Sequence, residues 1–294
     1  MPTSELLIPG KRMPACRRRR WIGRALLAAV LVVVGVAGYH GMRGVVTNFG
    51  SPSCRATALG TSVTFTPEQM GNAATITAVA VRRGLPARAA TIALATAIQE
   101  SKLRNITYGD QDSLGLFQQR TSQGWGTRAQ ILDAVHASNA FYDALVKVSG
   151  YQAMEITEVA QKVQRSAFPA AYAQHEMEGR VLASTLSGLS PGGIGCRLER
   201  AQAHGDAASL AGALRAQLRV TAAATGRTVT VRAGSAQRAW ACAGWAVAHA
   251  GSREVAAVTV GDRSWTRSRN ESGWSWQPAR SPTGAPTTVR ILVR

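Results

Sequence analysis

The sequence is poor in acidic side chains and in the side chains that form the most common catalytic centres. Its 294 residues include 16 Asp and Glu against 34 Lys and Arg, with only five His and four Cys. The His and Cys residues do not recur at metal-ligand spacing, and neither a phosphate-binding glycine loop nor a glycine-flanked serine elbow occurs. We therefore expect no metal and no cofactor.

The basic excess is concentrated at the two ends of the chain. Residues 1–24 contain seven basic residues and one acid, and residues 196–294 contain 14 Arg, no Lys and five acids. Taken alone, the formal net charge of +18 indicates nucleic acid, anionic lipid or an acidic polymer as a partner. The middle of the chain has little excess charge, so the basic character belongs to its flanks.

One segment near the N-terminus is apolar enough to enter a membrane. Residues 25–42 contain no Asp, Glu, Lys or Arg, and four consecutive arginines lie shortly before them. Length and flanking charge predict a single transmembrane anchor with its N-terminus in the cytoplasm, and the alternative is a cleaved signal peptide followed by secretion. In both cases the rest of the chain works outside the cytoplasmic membrane, which argues against nucleic acid as a partner.

Two of the four cysteines are interpreted as a disulfide pair, and a third is interpreted as a core residue. Cys54 and Cys196 bracket the middle of the chain, a spacing that suits a disulfide closing one domain in an oxidising compartment. Connectivity cannot be read from spacing, so this pairing is a hypothesis. Cys242 lies in an apolar helical pattern and is interpreted as a buried small hydrophobic residue.

Helical periodicity dominates the middle of the chain, and strand-like runs are confined to its last third. A capped start at Thr66 opens one helix, and a second ends near Glu100. We therefore expect a mainly α fold with a small α+β domain at its C-terminus. The predicted segments are a cytoplasmic tail at 1–24, an anchor at 25–42, a linker at 43–53, a helical domain at 54–196, a linker at 197–206 and the α+β domain at 207–294.

The C-terminal domain is rich in tryptophan and arginine. Core packing is the favoured interpretation of its tryptophans, and sugar stacking is the alternative. Its arginines could hold an anionic polymer of the cell wall, or they could form a solvated basic face. The tryptophans concerned are Trp240, Trp245, Trp265, Trp274 and Trp276.

Glu100 is the strongest candidate for a catalytic residue. It follows an apolar helical stretch from Ala89 to Ile98, and a helix that is apolar on all sides is usually buried. Desolvation and the negative end of the helix dipole both favour the protonated form of a carboxyl group at this place. Such a group can protonate the leaving oxygen of a glycosidic bond.

Two aspartates follow Glu100 at a distance that could form the opposite wall of a cleft. Asp110 and Asp112 lie ten and twelve residues further along, within a polar loop. In inverting glycosidases a second carboxylate activates water from the opposite face of the sugar. The alternative is that the two aspartates only cap a turn.

Two short motifs around Glu100 carry a family resemblance. Gln99-Glu100-Ser101, followed by Gly-Leu-Phe-Gln at 115–118, resembles the Glu-Ser and Gly-Leu-Met-Gln motifs of the soluble lytic transglycosylase and goose-type lysozyme superfamily. The longer stretch YGDQDSLGLFQQRTSQGWGT, with VQRSAFPAAY after it, looks like a membrane-anchored, lysozyme-like family of actinobacterial surface proteins. The resemblance covers about residues 54–196 and implies a lysozyme-like helical domain.

The resemblance also implies roles for individual residues. Glu100 looks like the catalytic acid and Ser101 its neighbour at the helix end, while Gly115 and Gln118 look like parts of the cleft wall that contact the saccharide. The remaining candidates for substrate binding are Phe117, Gln119, Trp125 and Tyr172. For Trp125 the alternative is that it anchors a loop, and for Tyr172 the alternative is that it is a core residue.

Together these features predict a membrane-anchored enzyme that cuts the glycan strand of peptidoglycan between N-acetylmuramic acid and N-acetylglucosamine. Two departures from the family pattern bear on this prediction. Phe117 replaces a methionine, and Val-Gln-Arg-Ser at 163–166 stands where a Tyr-Asn-Ala-Gly motif is expected. The alternative is therefore a catalytically inactive wall-binding or scaffold protein.

Overall fold

Eight α-helices and three antiparallel sheets make up the part of the chain that the computed structural model describes, residues 51–164 and 169–294. Residues Pro52–Arg294 belong to one compact unit. The predicted tail and anchor, and nearly all of the linker at 43–53, lie outside the described residues. Within those residues, none of the helices has the length and apolar character needed to span a bilayer.

The two helices that lead to Glu100 form as the sequence predicts. Helix α1 spans Pro67–Arg82, and Thr66 caps it by exchanging hydrogen bonds with Gln69. Helix α2 spans Ala87–Ser101 and is buried over nearly its whole surface. A helix of small apolar residues can approach its neighbours closely on every side, so α2 becomes the centre of the helical region.

Three of the six remaining helices in the described part of the chain pack on α2. The helical stretch that begins at Arg128 is broken at Asp133. Its carboxylate accepts hydrogen bonds from the backbone N–H groups of Val135 and His136 at 2.8 Å and starts a new helix. Three short 3-10 helices occur at Thr121–Gln123, Pro169–His175 and Glu271–Trp274. The further helices are α3 (Arg128–Leu132), α4 (Ala134–Leu145), α5 (Ile156–Gln164), α6 (Glu176–Leu186), α7 (Ala207–Leu218) and α8 (Ala236–Ala248).

A three-stranded sheet brings the two ends of the helical region together. Its strands are β1 (Ser53–Ala58), β2 (Thr61–Phe65) and β5 (Ile194–Arg197), in the order β2-β1-β5. The short strands β3 (Ser113–Leu114) and β4 (Gln119–Arg120) pair separately as a two-stranded sheet. Cys54 and Cys196 lie directly opposite each other on β1 and β5 and form a disulfide. The predicted pairing is therefore confirmed.

The last third of the chain forms a six-stranded antiparallel sheet. Its strands lie in the order β10-β9-β8-β11-β7-β6, and helices α7 and α8 pack on one face. Residues alternate between that buried face and an outer face that carries threonine, serine and arginine. The strands are β6 (Thr221–Thr225), β7 (Thr228–Arg232), β8 (Val255–Val260), β9 (Arg263–Thr266), β10 (Gln277–Pro278) and β11 (Thr288–Val293).

The expectation of a mainly α fold is wrong. The structure has 44% helix and 20% strand, and its largest sheet has six strands in the C-terminal part. Strands β1 and β2 lie outside the last third of the chain, to which the sequence confined strand-like runs, and β6 and β9 were not predicted. Strands β1, β2, β6 and β9 contain few large apolar residues, so their alternation is weak even though β2, β6 and β9 pair with neighbouring strands in hairpins. Strand β1 also pairs with the distant β5.

The helical region and the C-terminal sheet share a packed boundary. Trp276 donates from its indole nitrogen to the carbonyl oxygen of Ile194 at 2.8 Å, and the imidazole Nε2 of His249 lies 3.3 Å from the hydroxyl of Thr75. The tryptophans Trp245, Trp265 and Trp276 are buried in the core, as the favoured interpretation expected. The domain boundaries drawn at 196 and 207 stay a prediction.

We expect His249 to make the stability of the fold depend on pH. Desolvation, the largest cause, lowers its pKa from 6.5 to about 4. Because the folded-state value lies below the unfolded one, the neutral ring contributes its full stability above pH 6.5, and this contribution is lost as the pH falls toward 4. The loss amounts to about 3 kcal/mol, because each unit of difference between the folded and unfolded pKa is worth about 1.4 kcal/mol.

Denaturant unfolding at pH 7 and pH 4 measures this loss. We expect His249→Gln to show a smaller decrease in free energy of unfolding between these pH values than the native chain. His204, which is exposed, provides the matched control, since His204→Gln is expected to keep the native pH dependence. An unchanged pH dependence in His249→Gln would contradict the assignment.

Candidate functional site

The carboxyl group of Glu100 lies at the end of the buried helix α2 and is held by a tyrosine. The residue itself is half-buried, and the hydroxyl of Tyr172 donates a hydrogen bond of 2.5 Å to its Oε1 atom. Tyr172 is 1% exposed and comes from the 3-10 helix Pro169–His175, which packs on α2. The structure thus brings together two predicted site residues that are 72 positions apart.

Helix α1 holds the chain immediately after Glu100. Lys102 and Leu103 both adopt left-handed backbone conformations, with φ of 55° and 58°. Gln69 donates to the carbonyl oxygen of Lys102 at 2.7 Å, and Asn72 donates to that of Leu103 at 2.8 Å. Two side chains of α1 therefore satisfy carbonyl groups just after the C-terminal end of α2. These contacts hold the backbone that follows Glu100 in place.

Ser101 connects the two motifs that carry the family resemblance. It is buried, and its hydroxyl donates to the carbonyl oxygen of Leu116 at 2.8 Å. Gly115 precedes this contact with a φ of 75°, and a Cβ atom there would lie 2.7 Å from the carbonyl oxygen of Ile131. A side chain at position 115 is excluded by both conformation and space, so the turn can lie against the end of α2 only with glycine.

The side chains at positions 117 and 119 are buried and contact other residues of the core. Phe117 is fully buried and stacks on Phe141 with ring centroids 4.7 Å apart. Gln119 is 2% exposed and donates to the carbonyl oxygen of Ala137 at 3.3 Å. Gln118 has a φ of 48° and is only partly buried. Of these three predicted substrate contacts, Gln118 alone keeps substantial exposure.

Asp110 and Asp112 are both engaged within their own loop. Arg120 forms an ion pair with Asp110 at 2.8 Å. Asp112 accepts hydrogen bonds from the backbone N–H and the hydroxyl of Ser122 at 2.8 and 2.9 Å. The backbone hydrogen bond from Ser122 is the main reason why the pKa of Asp112 is lowered. The geometry of Asp112 is that of turn capping, the alternative that the sequence left open, whereas the exposed side chain of Asp110 forms an ion pair.

Trp125 lines a cavity of about 500 Å³ that none of the other predicted site residues lines. It is partly buried, and the same cavity is lined by Lys147 and Lys162. Among the described residues, no group of three or more His, Cys, Asp or Glu side chains could hold a metal ion.

His175 and Glu178 form a pair of side chains near Tyr172 that was not predicted from the sequence. His175 Nδ1 lies 2.7 Å from a carboxylate oxygen of Glu178, and its buried Nε2 has no hydrogen-bond partner among the described residues. Residues three apart in a 3-10 helix lie on the same face, so His175 follows Tyr172 along one edge. The His-x-x-Glu spacing was the available signal.

If the chain cleaves glycan strands as the sequence predicts, we expect Tyr172→Phe to slow this cleavage without weakening substrate binding. The ring would remain in its buried place, while the carboxyl group of Glu100 would lose the hydrogen bond that orients it. With soluble glycan strands as substrate, kcat should fall about tenfold and KM should stay within about twofold.

Tyr142→Phe provides the matched control. Its hydroxyl donates to the carbonyl oxygen of Ile76 at 3.1 Å in the core, so this variant should lose stability and keep kcat. Equal values of kcat in Tyr172→Phe and the native protein would contradict the positioning role.

Comparison of the sequence with models of known protein families and with curated proteins gave no match.

Proposed function

We propose that the chain is an extracytoplasmic enzyme that cleaves the glycan strand of peptidoglycan, with Glu100 as its general acid. The observation that carries the proposal is the contact between Glu100 and Tyr172 at the end of a buried helix. The resemblance of the surrounding motifs to lytic transglycosylases gives the substrate class. The Cys54–Cys196 disulfide supports an oxidising compartment outside the cytoplasm.

The proposed reaction forms an anhydro ring and does not need water. The carboxyl group of Glu100 gives its proton to the glycosidic oxygen, and the bond between that oxygen and C1 of the muramic residue breaks. The resulting carboxylate then takes the proton from the 6-hydroxyl, and the oxygen of this hydroxyl bonds to C1. Glu100 ends protonated, so the cycle closes without another reactant.

The aspartates favour this route over hydrolysis. Hydrolysis needs a carboxylate that is available to activate water. Arg120 binds Asp110, and both oxygens of Asp112 accept hydrogen bonds from Ser122. Neither carboxylate is therefore poised as a base.

A digestion experiment tests the proposal. The full-length protein is solubilised in a mild detergent and incubated with peptidoglycan, and the released fragments are identified by mass spectrometry. We expect fragments that end in 1,6-anhydromuramic acid. If the protein binds peptidoglycan and releases no fragments, the proposal fails and the inactive wall-binding alternative is favoured.

The double variant Asp110→Asn/Asp112→Asn tests the route. We expect its rate of fragment release to fall by less than about fivefold, whereas removal of a general base costs about 100- to 10,000-fold. Asparagine at position 112 keeps one oxygen that can accept from the backbone N–H of Ser122, and its amide group can donate to the hydroxyl of Ser122, so the fold of the loop should survive. Reducing ends in place of anhydro ends, together with a large loss in this variant, would show hydrolysis instead.

A further inference from the structure

The outer face of the C-terminal sheet carries two neighbouring cavities. One has a volume of about 710 Å³ and lies over strands β8, β9 and β11, next to the segment at 277–281. The other has a volume of about 730 Å³ and lies between β9 and the segment at 198–201. Thr266 lines both, so the cavities adjoin and form one extended surface, which we call the outer groove.

The outer groove is basic along its whole length. Six arginines line it, and no aspartate or glutamate does. Two of the six form ion pairs, Arg267 with Glu254 and Arg269 with Glu199. The charge of the other four has no carboxylate partner among the described residues. These four are Arg200, Arg280, Arg290 and Arg294.

Two of the four arginines are held in place by backbone oxygens. Arg290 donates to the carbonyl oxygens of Ser281 and Pro282, and Arg294 donates to that of Ala201. Carbonyl contacts orient a guanidinium group without neutralising its charge. An ordered guanidinium loses less conformational freedom when it binds an anion, which makes this groove better suited to a ligand than a set of mobile surface arginines.

The remaining lining side chains indicate the chemistry of the ligand. Between the arginines lie hydroxyl and amide groups, including Thr259, Ser264 and Gln277. No aromatic side chain lines either cavity. Proteins that bind single-stranded nucleic acid stack bases on aromatic side chains, so this groove lacks the feature that would hold a base. Guanidinium groups match phosphate, and hydroxyl groups match the hydroxyls of a polyol.

We propose that the outer groove binds a linear polymer of polyol phosphates. The phosphodiester groups lie against the two oriented arginines, Arg290 and Arg294, and against the exposed Arg200 and Arg280. The polyol hydroxyls contact the threonine and serine side chains between them. The extended form of the groove suits a chain of repeating units better than a single small anion. This site is independent of Glu100, so binding at the groove and cleavage at the helix end are separable.

Binding of fluorescent poly(glycerol phosphate), followed by anisotropy, tests the site in the full-length protein in mild detergent. Arg200 and Arg280 are exposed and make no hydrogen bond or ion pair with the described residues, so their replacement should leave the fold intact. At 50 mM salt we expect Arg200→Gln/Arg280→Gln to raise the dissociation constant about tenfold. The slope of log affinity against log salt should shrink by about 1.4, the value for two lost phosphate contacts.

A matched control removes the same charge elsewhere. Arg104 and Arg219 are exposed and line neither cavity, so Arg104→Gln/Arg219→Gln should change the dissociation constant less than about twofold. An equal loss in both double variants would show attraction by net charge alone and would overturn the proposal. So would absence of binding by the native chain, or tighter binding of a single-stranded oligonucleotide of the same charge, which would favour nucleic acid.

Discussion

The Glu100→Gln variant is expected to release glycan fragments from peptidoglycan about 1,000-fold more slowly than the native protein. Glutamine has nearly the shape of glutamate and can still accept the hydrogen bond of Tyr172, but it has no proton to give to the leaving oxygen. The loss should therefore appear in kcat and in kcat/KM alike, with KM little changed. The measurement is the initial rate of fragment release, quantified by mass spectrometry.

The control for Glu100→Gln removes a carboxylate of the same kind outside the site. Glu68 is exposed in the first turn of α1, and Glu68→Gln should keep the native rate. Both variants should also keep the native unfolding temperature within a few degrees, since neither removes a core side chain. Native activity in Glu100→Gln would exclude this residue as the general acid, whatever the products are.

The second large effect concerns the disulfide. Cys54 and Cys196 are 142 positions apart in the chain. The chain-entropy treatment of a loop of this size gives about 5 kcal/mol of stabilisation, and measured losses for native disulfides are typically about 2 to 5 kcal/mol. We expect Cys54→Ala/Cys196→Ala to lower the free energy of unfolding by an amount in that range, measured by denaturant titration.

The effect of a reductant separates the bridge from the packing of its two residues. Under reducing conditions the free energy of unfolding of the native chain should fall most of the way to that of the Cys54→Ala/Cys196→Ala variant. The free energy of unfolding of the variant itself should not change. Cys242 offers the control, because its thiol is buried and free, and burial raises its pKa to about 12. Cys242→Ala should therefore keep the native response to reductant. A native chain that is equally stable with and without reductant would contradict the role of the bridge.

The sequence predicts those parts of the fold that depend on local interactions. Helix α1 starts where Thr66 and Gln69 exchange hydrogen bonds, and helix α2 ends at Ser101, next to Glu100, where the sequence placed its end. Capping residues and apolar periodicity act within a few positions of the chain, so they can be read without a structure. Strand pairing is only partly local. Strand β1 pairs with its neighbour β2 and also with β5, which lies at the other end of the helical region and cannot be identified as a partner from the local sequence.

The candidate site divides in the same way. Glu100 was identifiable from the apolar helix before it and from its motif, and the capping role of Asp112 was an open alternative because turn chemistry is local. The contact of Tyr172 with Glu100 joins residues 72 positions apart, and the buried position of Phe117 follows from stacking on Phe141. Long-range packing decided both, so neither could be assigned from the pattern alone.

The bridge between β1 and β5 also determines how the chain would carry mechanical force. Cys54 and Cys196 lie opposite each other, so the chain enters and leaves the helical region at one point. Tension between the residues before Cys54 and those after Cys196 passes through the two sulfur atoms. The helix that ends at Glu100 lies within the unloaded part and would keep its geometry while the chain is stretched from both sides.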